Sequence, residues 1–335
     1  MPKIDAHIHL IPDHPESIKL IEEFDLKLLN INVDYTKKCF PTEGKWWREH
    51  VWRDHAKYYR ELMQKFPERF SWCTTFDLPD FGNPKYIDHV IQGLEQDFAD
   101  GAIACKVWKN IGMEIKDPQG RFLMVDDPFL EPIFRYIEQK GKTLLMHIGE
   151  PLACWRPLVE NTPHYGYYSK NPEWHMYGKP NFPSHEELIA ARDHIAARHP
   201  KLKVIGAHLG SLEYDVAELA KCFERYPNFA VDTSGRINDL AFQERDKVRE
   251  FMIQYQDRIL YGSDIVREMP HSVMSETERA QAHRWIRKMT ETAFTYYNTD
   301  QAIEVFDRKV PGLKLPEKVL DQLFFANAKR WYPGI

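Results

Sequence analysis

The sequence predicts a (β/α)8 TIM barrel from three observations: eight short β-rich segments, helical spacing between most of them, and prolines just past helix ends. The predicted strands are Lys3 to His9, Leu28 to Val33, Phe70 to Phe76, Ile103 to Trp108, Thr143 to His147, Lys203 to Ala207, Phe229 to Asp232 and Arg258 to Tyr261. The predicted helices between them are Trp52 to Phe66, Tyr86 to Phe98, Pro128 to Lys140, His185 to His199, Leu212 to Tyr226 and Arg245 to Tyr255. Eight such units closing on themselves favour a barrel. A doubly wound sheet is the alternative, and the lack of a G-x-G-x-x-G loop after the first strand weakens it.

Two regions lie outside the repeating units. The stretch from Glu150 to Pro183, after strand five, has no clear periodicity and is rich in aromatic residues, prolines and histidines, which indicates a lid or binding loop. Beyond Asp264, the segments Glu276 to Tyr296 and Pro316 to Trp331 have helical spacing and predict extra C-terminal helices that close the barrel. We therefore expect one domain over residues 1–335.

Composition excludes several classes of partner. The 45 lysines and arginines against 50 acidic residues give a net charge of −5, and no long basic stretch predicts a nucleic-acid groove. The sequence contains no 18-residue uncharged apolar run, so it predicts no membrane span.

The first strand begins almost directly after Met1 without a signal-peptide pattern, so we expect a cytoplasmic protein. The five scattered cysteines, Cys39, Cys73, Cys105, Cys154 and Cys222, contain no C-x-x-C pair and fit reduced thiols.

The motif Asp5-Ala6-His7-Ile8-His9 carries the strongest chemical signal. Side chains alternate along a strand, so His7 and His9 share one face, which in a barrel points toward the axis. Two imidazoles placed in this way can chelate a metal ion. An H-x-H on a surface strand is common, however, so the assignment needs further ligands.

Further ligand candidates lie at the ends of later strands. His147 ends the run Thr-Leu-Leu-Met-His, His208 ends Val-Ile-Gly-Ala-His, and Asp264 follows the last strand. In a parallel barrel these positions face one mouth, where active sites are built. Each residue alone also has an ordinary structural explanation, such as a helix N-cap for Asp264. Their joint occurrence with His7 and His9 favours a metal site.

This donor set suits several divalent metal ions. Neutral imidazoles with one carboxylate bind Zn²⁺, our first expectation, and also Mn²⁺, Fe²⁺ or Co²⁺. A water molecule bound to such an ion can have a pKa near about 7 and so yield a hydroxide nucleophile. Asp264 would then accept the proton and return it to a leaving group.

The order of these motifs resembles the amidohydrolase superfamily. The phrases Gly206-Ala207-His208-Leu209-Gly210, Tyr261-Gly262-Ser263-Asp264 and Asn327-Ala328-Lys329-Arg330 resemble its amidohydrolase-related branch, which includes aminocarboxymuconate-semialdehyde decarboxylase. The resemblance implies one metal ion per chain held by His7, His9, His147 and Asp264, with His208 and Asp264 as catalytic groups. It also makes a homodimer plausible.

Lys106 ends the fourth strand, where other branches of this superfamily carry a carbamylated lysine that bridges two metal ions. The resemblance thus leaves a second metal open. A lysine there could equally face the substrate or form a salt bridge at the barrel mouth.

Candidate substrate contacts lie on the predicted mouth loops. Arg156, Arg236 and Arg267 could each hold a substrate carboxylate, while Trp174 and His175 could line the lid. The aromatic lid suits a small cyclic or aromatic molecule.

Three functions are compatible with these residues. The first is hydrolysis of a small amide, ester or lactone by metal-activated water, as is usual in the superfamily. The alternative is a lyase that decarboxylates or hydrates a small unsaturated or aromatic carboxylic acid, as the branch suggests. The third is a binding protein without catalysis, which the complete set of ligand positions disfavours.

Overall fold

A sheet of nine parallel strands forms the centre of the protein, of which the computed structural model describes residues 2–10, 15–34, 52–267 and 274–335. Its strands are β1 Lys3–Leu10, β2 Leu26–Ile31, β3 Phe70–Thr74, β4 Ala104–Val107, β5 Thr143–Met146, β6 Lys203–Gly206, β7 Phe229–Asp232, β8 Ile259–Leu260 and β9 Val266–Arg267. From β1 to β8 each strand pairs with the next in the chain, and β9 pairs with β1. Sequential parallel pairing requires crossover connections, which the helices supply.

Helices follow most of the strands. The helices α1 to α11 are Pro15–Glu23, Trp52–Lys65, Tyr86–Ala99, Glu131–Gln139, His185–Arg198, Val216–Arg225, Ile237–Ala241, Arg245–Gln254, Glu276–Asn298, Glu317–Asp321 and Asn327–Trp331. Local signals fix several of their ends. Ser184 and Glu187 form a reciprocal capping box at the start of α5, and Ser275 and Glu278 form one at the start of α9.

Hydrogen bonds join the two ends of the sheet. The backbone N–H of Ala6 donates to the carbonyl of Tyr261 at 2.9 Å, and that of His9 donates to the carbonyl of Ile265 at 2.9 Å. The predicted TIM barrel is therefore confirmed. Its eighth strand is only two residues long, and β9, which the sequence did not predict, continues the contact with β1.

The barrel interior is a cluster of small and branched apolar side chains with members from each of the first eight strands. Leu29, Leu145, Ile205 and Leu260 are fully buried within it, because side chains of alternate strand positions point to the axis. A second layer of apolar side chains packs between the strands and the helices. The interior is filled, so only the ends of the strands are open for a site.

The C-terminal segment packs against the same interior. Residues 317–331 form one nearly continuous helical stretch, interrupted by a wider turn at Gln322–Ala326. Its Trp331 and Tyr332 join the interior cluster, and the Asn327 side-chain amide donates to the carbonyls of Gln256 and Ile259, each at 2.7 Å. This matches the prediction of C-terminal helices that close the barrel.

Several elements differ from the sequence-based expectation. Helix α1 and a hairpin of β10 Ala302–Val305 and β11 Arg308–Pro311 were not predicted. The four described cysteines are buried and unpaired, while Cys39 lies outside the described residues. Among the described helices, none combines the length and apolar composition that a membrane crossing requires.

Candidate active site

A cavity of about 910 Å³ opens where the carboxyl ends of the strands meet the following loops. Its lining contains most of the residues that the sequence singled out, from strands β1, β4 and β9 and from the loops after β5, β6, β7 and β8. The predicted residues in the lining are His7, His9, Lys106, His147, Trp174, His208, Arg236, Asp264 and Arg267.

Three of the predicted ligands form a tight cluster at the barrel mouth. One ligand atom from each of His7, His9 and Asp264 lies within 4.8 Å of the other two. The Asp264 carboxylate is 3.8 Å from His7 Nε2 and 3.7 Å from His9 Nε2, and its side chain is 28% exposed to the cavity side. The two histidines are buried, so the cluster could hold a metal ion with one open side.

His208 reaches this cluster through an unusual backbone. Strand β6 ends at Gly206, earlier than predicted, and His208, Leu209, Gly210 and Ser211 all have positive φ angles. Such a turn is costly for residues other than glycine, and here the His208 N–H gains a hydrogen bond to Asp232 Oδ1 at 2.9 Å. The centroid of the His208 ring lies 4.3 Å from that of the His147 ring and 5.0 Å from that of the His7 ring.

Asp232 and Ser234 fix the orientation of two histidines, and sequence reasoning missed both. Asp232 Oδ2 lies 2.8 Å from His7 Nδ1, while Ser234 O lies 2.9 Å from His208 Nδ1. With Asp232 accepting from Nδ1–H, His7 presents the lone pair of Nε2 to the cavity. Asp232 ends predicted strand seven, so the rule that selected His147 and His208 at strand ends also applies to it.

His147 follows β5 and lies next to His208. Its Nε2 is buried and has no hydrogen-bond partner among the described residues. Buried polar atoms normally have a partner, so this atom fits a ligand to a bound ion. Its donor atom is not part of the tight cluster formed by His7, His9 and Asp264.

The protonation state of the histidines suits metal binding. Burial lowers the pKa of His7 and holds the pKa of His147 and His208 well below the usual range, and the charge of Lys106 acts in the same direction. The rings are therefore neutral near pH 7. The neutral imidazole is the form that binds a metal ion.

Lys106 lies on the same side of the cavity as His7. Its Nζ is 3.3 Å from His7 Nε2, and burial lowers its pKa to about 8. The amine is then mostly charged at pH 7, with about a tenth of it uncharged. The structure thus brings Lys106 to the candidate metal site.

A second buried lysine, Lys109, was not predicted. It forms an ion pair with Glu150, donates to the Tyr167 hydroxyl at 3.1 Å, and lies 4.2 Å from the ring centroid of Trp174. Tyr168 also donates to Glu150, at 2.9 Å. These contacts fasten the long loop after β5 to the barrel and place Trp174 at the cavity wall.

The three predicted arginines occupy different surroundings. Arg236 and Arg267 line the cavity, and Arg267 lies 4.2 Å from the Trp285 ring centroid. Arg156 is exposed and does not line the cavity, and neither does His175, whose Nε2 lies 2.9 Å from the Arg156 carbonyl. Arg236, Arg267 and Trp174 therefore line the cavity, whereas Arg156 and His175 do not.

The family model described as "Amidohydrolase" matches residues 4–334, which is nearly the whole chain. The chain belongs to this amidohydrolase family. Its members are metal-dependent enzymes, and the family therefore agrees with the resemblance that the motifs carry. No curated protein sequence matches the chain.

Solved structures resemble the chain in fold. A 2,6-dihydroxybenzoate decarboxylase from Rhizobium is 16% identical with a TM-score of 0.56, covering 99% of this chain and 98% of the other. A dihydroxybenzoic acid decarboxylase from Polaromonas sp. JS666 with bound manganese and the inhibitor 2-nitroresorcinol is 14% identical, with a TM-score of 0.54 and coverage of 99% and 96%. A 4-oxalomesaconate hydratase from Rhodopseudomonas palustris is 12% identical, with a TM-score of 0.53 and coverage of 99% and 96%. At these identities the likeness concerns the fold alone.

Proposed function

We propose that this amidohydrolase acts as a metal-dependent lyase that decarboxylates a small aromatic or unsaturated carboxylic acid. The observation that carries the proposal is the composition of one cavity. Its floor holds His7, His9 and Asp264, while its wall holds the cationic side chain of Arg236 and the aromatic side chain of Trp174. This combination suits a flat anionic substrate close to a divalent ion.

We assign the metal ion to His7, His9, His147 and Asp264, with Zn²⁺ as first choice and Mn²⁺, Fe²⁺ or Co²⁺ as alternatives. Three of the four residues already lie together, and the buried Nε2 of His147 lacks any other described partner. A divalent ion bound there would supply Lewis-acid polarisation of a substrate oxygen. We also propose that residues 1–335 form one domain and that the protein is a homodimer.

Arg236 is the best candidate for the substrate carboxylate. Its guanidinium donates to the Gly235 carbonyl at 3.1 Å, and its buried Nε–H has no hydrogen-bond partner among the described residues. Lys109, by contrast, is already paired with Glu150. A guanidinium with an unused donor can bind a carboxylate through two parallel hydrogen bonds. Arg267 stands beside Trp285 on another part of the wall and is a second contact.

Asp264 and His208 are the groups able to move a proton at the cavity floor. In decarboxylation the bond between the ring or vinyl carbon and the carboxylate breaks, its electron pair stays on that carbon, and the carbon takes up a proton as carbon dioxide leaves. Asp264 is partly exposed beside His7 and His9, so its carboxylate can take up a proton from solvent and pass it to that carbon. Ser234 fixes the His208 ring next to it, with His208 Nδ1 only 3.9 Å from Asp264 Oδ2.

Hydrolysis is the second candidate, and the position of Asp264 favours it. A carboxylate beside a metal site and open to the cavity is the base that attack of water on an amide, ester or lactone requires. The cationic and aromatic wall favours decarboxylation because hydrolysis has no need of a carboxylate pocket. The neighbours of similar fold include two decarboxylases of dihydroxybenzoates, which suggests the first substrates to assay.

The test is a paired assay on protein loaded with Zn²⁺ or Mn²⁺. One arm measures carbon dioxide release from 2,6-dihydroxybenzoate, other hydroxybenzoates and unsaturated dicarboxylates; the other measures hydrolysis of lactones, esters and amides. We expect metal-dependent carbon dioxide release that is lost in His9→Ala. Hydrolysis without carbon dioxide release would overturn the lyase proposal and support the second candidate. Metal bound at full occupancy with no turnover in either arm would overturn both.

A further inference from the structure

A second group of potential metal ligands lies beside the cavity, apart from the first. One ligand atom from each of His164, Glu213 and Asp239 lies within 4.8 Å of the other two. His164 belongs to the long loop after β5, Glu213 follows the left-handed turn after β6, and Asp239 lies in the short helix α7 after β7. The group shares no residue with the cluster of His7, His9 and Asp264.

Both carboxylates of this group are buried and incompletely bonded. Glu213 is 2% exposed and Asp239 is 8% exposed. Glu213 Oε1 accepts the Leu152 N–H at 3.1 Å, and Asp239 Oδ1 lies 2.7 Å from His164 Nε2. The second oxygens, Glu213 Oε2 and Asp239 Oδ2, are buried without a hydrogen-bond partner among the described residues. Two adjacent buried carboxylates with free oxygen atoms need a compensating cation or proton.

Arg236 does not supply that cation in this arrangement. Burial raises the pKa of Glu213, Asp239 raises it further, and the charge of Arg236 acts in the opposite direction. Yet no ion pair within 4.0 Å joins the Arg236 guanidinium to either carboxylate in the described part of the chain. Its hydrogen bond goes to the Gly235 carbonyl instead.

We propose that His164, Glu213 and Asp239 form a second divalent-cation site. One imidazole and two carboxylates suit Zn²⁺, Mn²⁺ or Fe²⁺. His164 and Asp239 line the cavity, so an ion can enter from it and keep positions open toward it. Because the three residues come from the loops after three neighbouring strands, the ion cross-links the long loop at 150–183 to the barrel. This site is independent of the proposed reaction.

The first test counts metal ions by elemental analysis after incubation with Zn²⁺ and removal of loosely held ions. We expect two equivalents in the wild type and one in Glu213→Gln and in Asp239→Asn. Asp215→Asn, at the half-buried acid that caps α6, is the matched control and should keep two. Wild-type content that is unchanged in both Glu213→Gln and Asp239→Asn overturns the proposal. Loss of the second equivalent in Lys106→Ala instead assigns it to a binuclear centre and also overturns it.

His9→Ala separates this site from the first one. We expect His9→Ala to retain one equivalent, and Zn²⁺ to slow proteolytic cleavage of the 150–183 loop about tenfold at ten times the dissociation constant. If the first site does not exist, the wild type holds one equivalent that His9→Ala keeps and Asp239→Asn loses. Cleavage of the loop at equal rates with Zn²⁺ and with chelator in His9→Ala overturns the cross-link, and this readout needs no variant of the site itself.

Discussion

Asp232→Asn should weaken metal binding although Asp232 itself is not a proposed ligand. Its Oδ2 lies 2.8 Å from His7 Nδ1, and its Oδ1 accepts the His208 N–H at 2.9 Å. Burial alone would raise the pKa of Asp232, but the neighbouring His7 ring, Ser234 and Lys106 hold it below its usual range, so the carboxylate stays charged. Asparagine keeps the shape and removes the charge that holds the His7 proton on Nδ1. A fraction of His7 then carries its proton on Nε2, where a metal ion cannot bind.

The expected loss of metal affinity follows from the hydrogen bond that Asp232 makes to the proposed metal ligand His7. Removing such a contact typically lowers metal affinity about 10- to 100-fold, or roughly 1.4–2.7 kcal/mol. Competition with a chromophoric chelator measures the Zn²⁺ dissociation constant, and circular dichroism checks the fold.

Asp126→Asn is the matched control. Asp126 Oδ2 lies 2.7 Å from His194 Nδ1 in a similar pair, and neither residue lines the described cavity. We expect its Zn²⁺ affinity to equal that of the wild type. An affinity for Asp232→Asn within about twofold of the wild type, in a folded protein, would refute the role of Asp232, since even the low end of the expected range is tenfold.

Three further predictions follow from single contacts. Arg236→Gln should raise KM for a carboxylate substrate about 10- to 100-fold with a smaller effect on kcat, whereas the exposed Arg156→Gln should leave both unchanged in steady-state assays. Burial holds the pKa of His147 well below its usual range, and unfolding returns it to 6.5, so acid favours the unfolded chain. As the pH falls from 7.5 to 5.5, the unfolding free energy of the metal-free wild type, measured in urea titrations, should therefore drop by about 1.4 kcal/mol more than that of His147→Gln. Equal drops would contradict the burial argument. Asn327→Ala removes two hydrogen bonds of a buried side-chain amide and should cost about 1–3 kcal/mol in unfolding free energy without changing metal content; a loss of metal would contradict a purely structural role.

Most of the barrel could be predicted because its signals are local. The strands are short apolar segments, and helices such as α5 and α9 begin at capping boxes. Strand β9 was missed because two residues carry no periodicity, and its pairing with β1 depends on barrel closure. The hairpin of β10 and β11 was missed although Ile303 and Val305 alternate with exposed residues, because four residues are too few to distinguish a strand.

The site was predictable where a residue type and a strand end coincide. His7, His9 and Asp264 come together as expected because parallel strands direct their carboxyl ends to one mouth. The loops gave poorer guidance. Lys109 forms an ion pair with Glu150 and contacts the Trp174 ring at the cavity wall, and no sequence spacing reveals these contacts. Arg156 lies outside the cavity lining although its loop is at the mouth.

The most direct test of the central claim is anomalous diffraction from crystals of the protein grown with Mn²⁺. The account predicts a manganese peak among the side chains of His7, His9 and Asp264, within bonding distance of all three. A folded protein whose crystals contain Mn²⁺ elsewhere but none between these residues would contradict it.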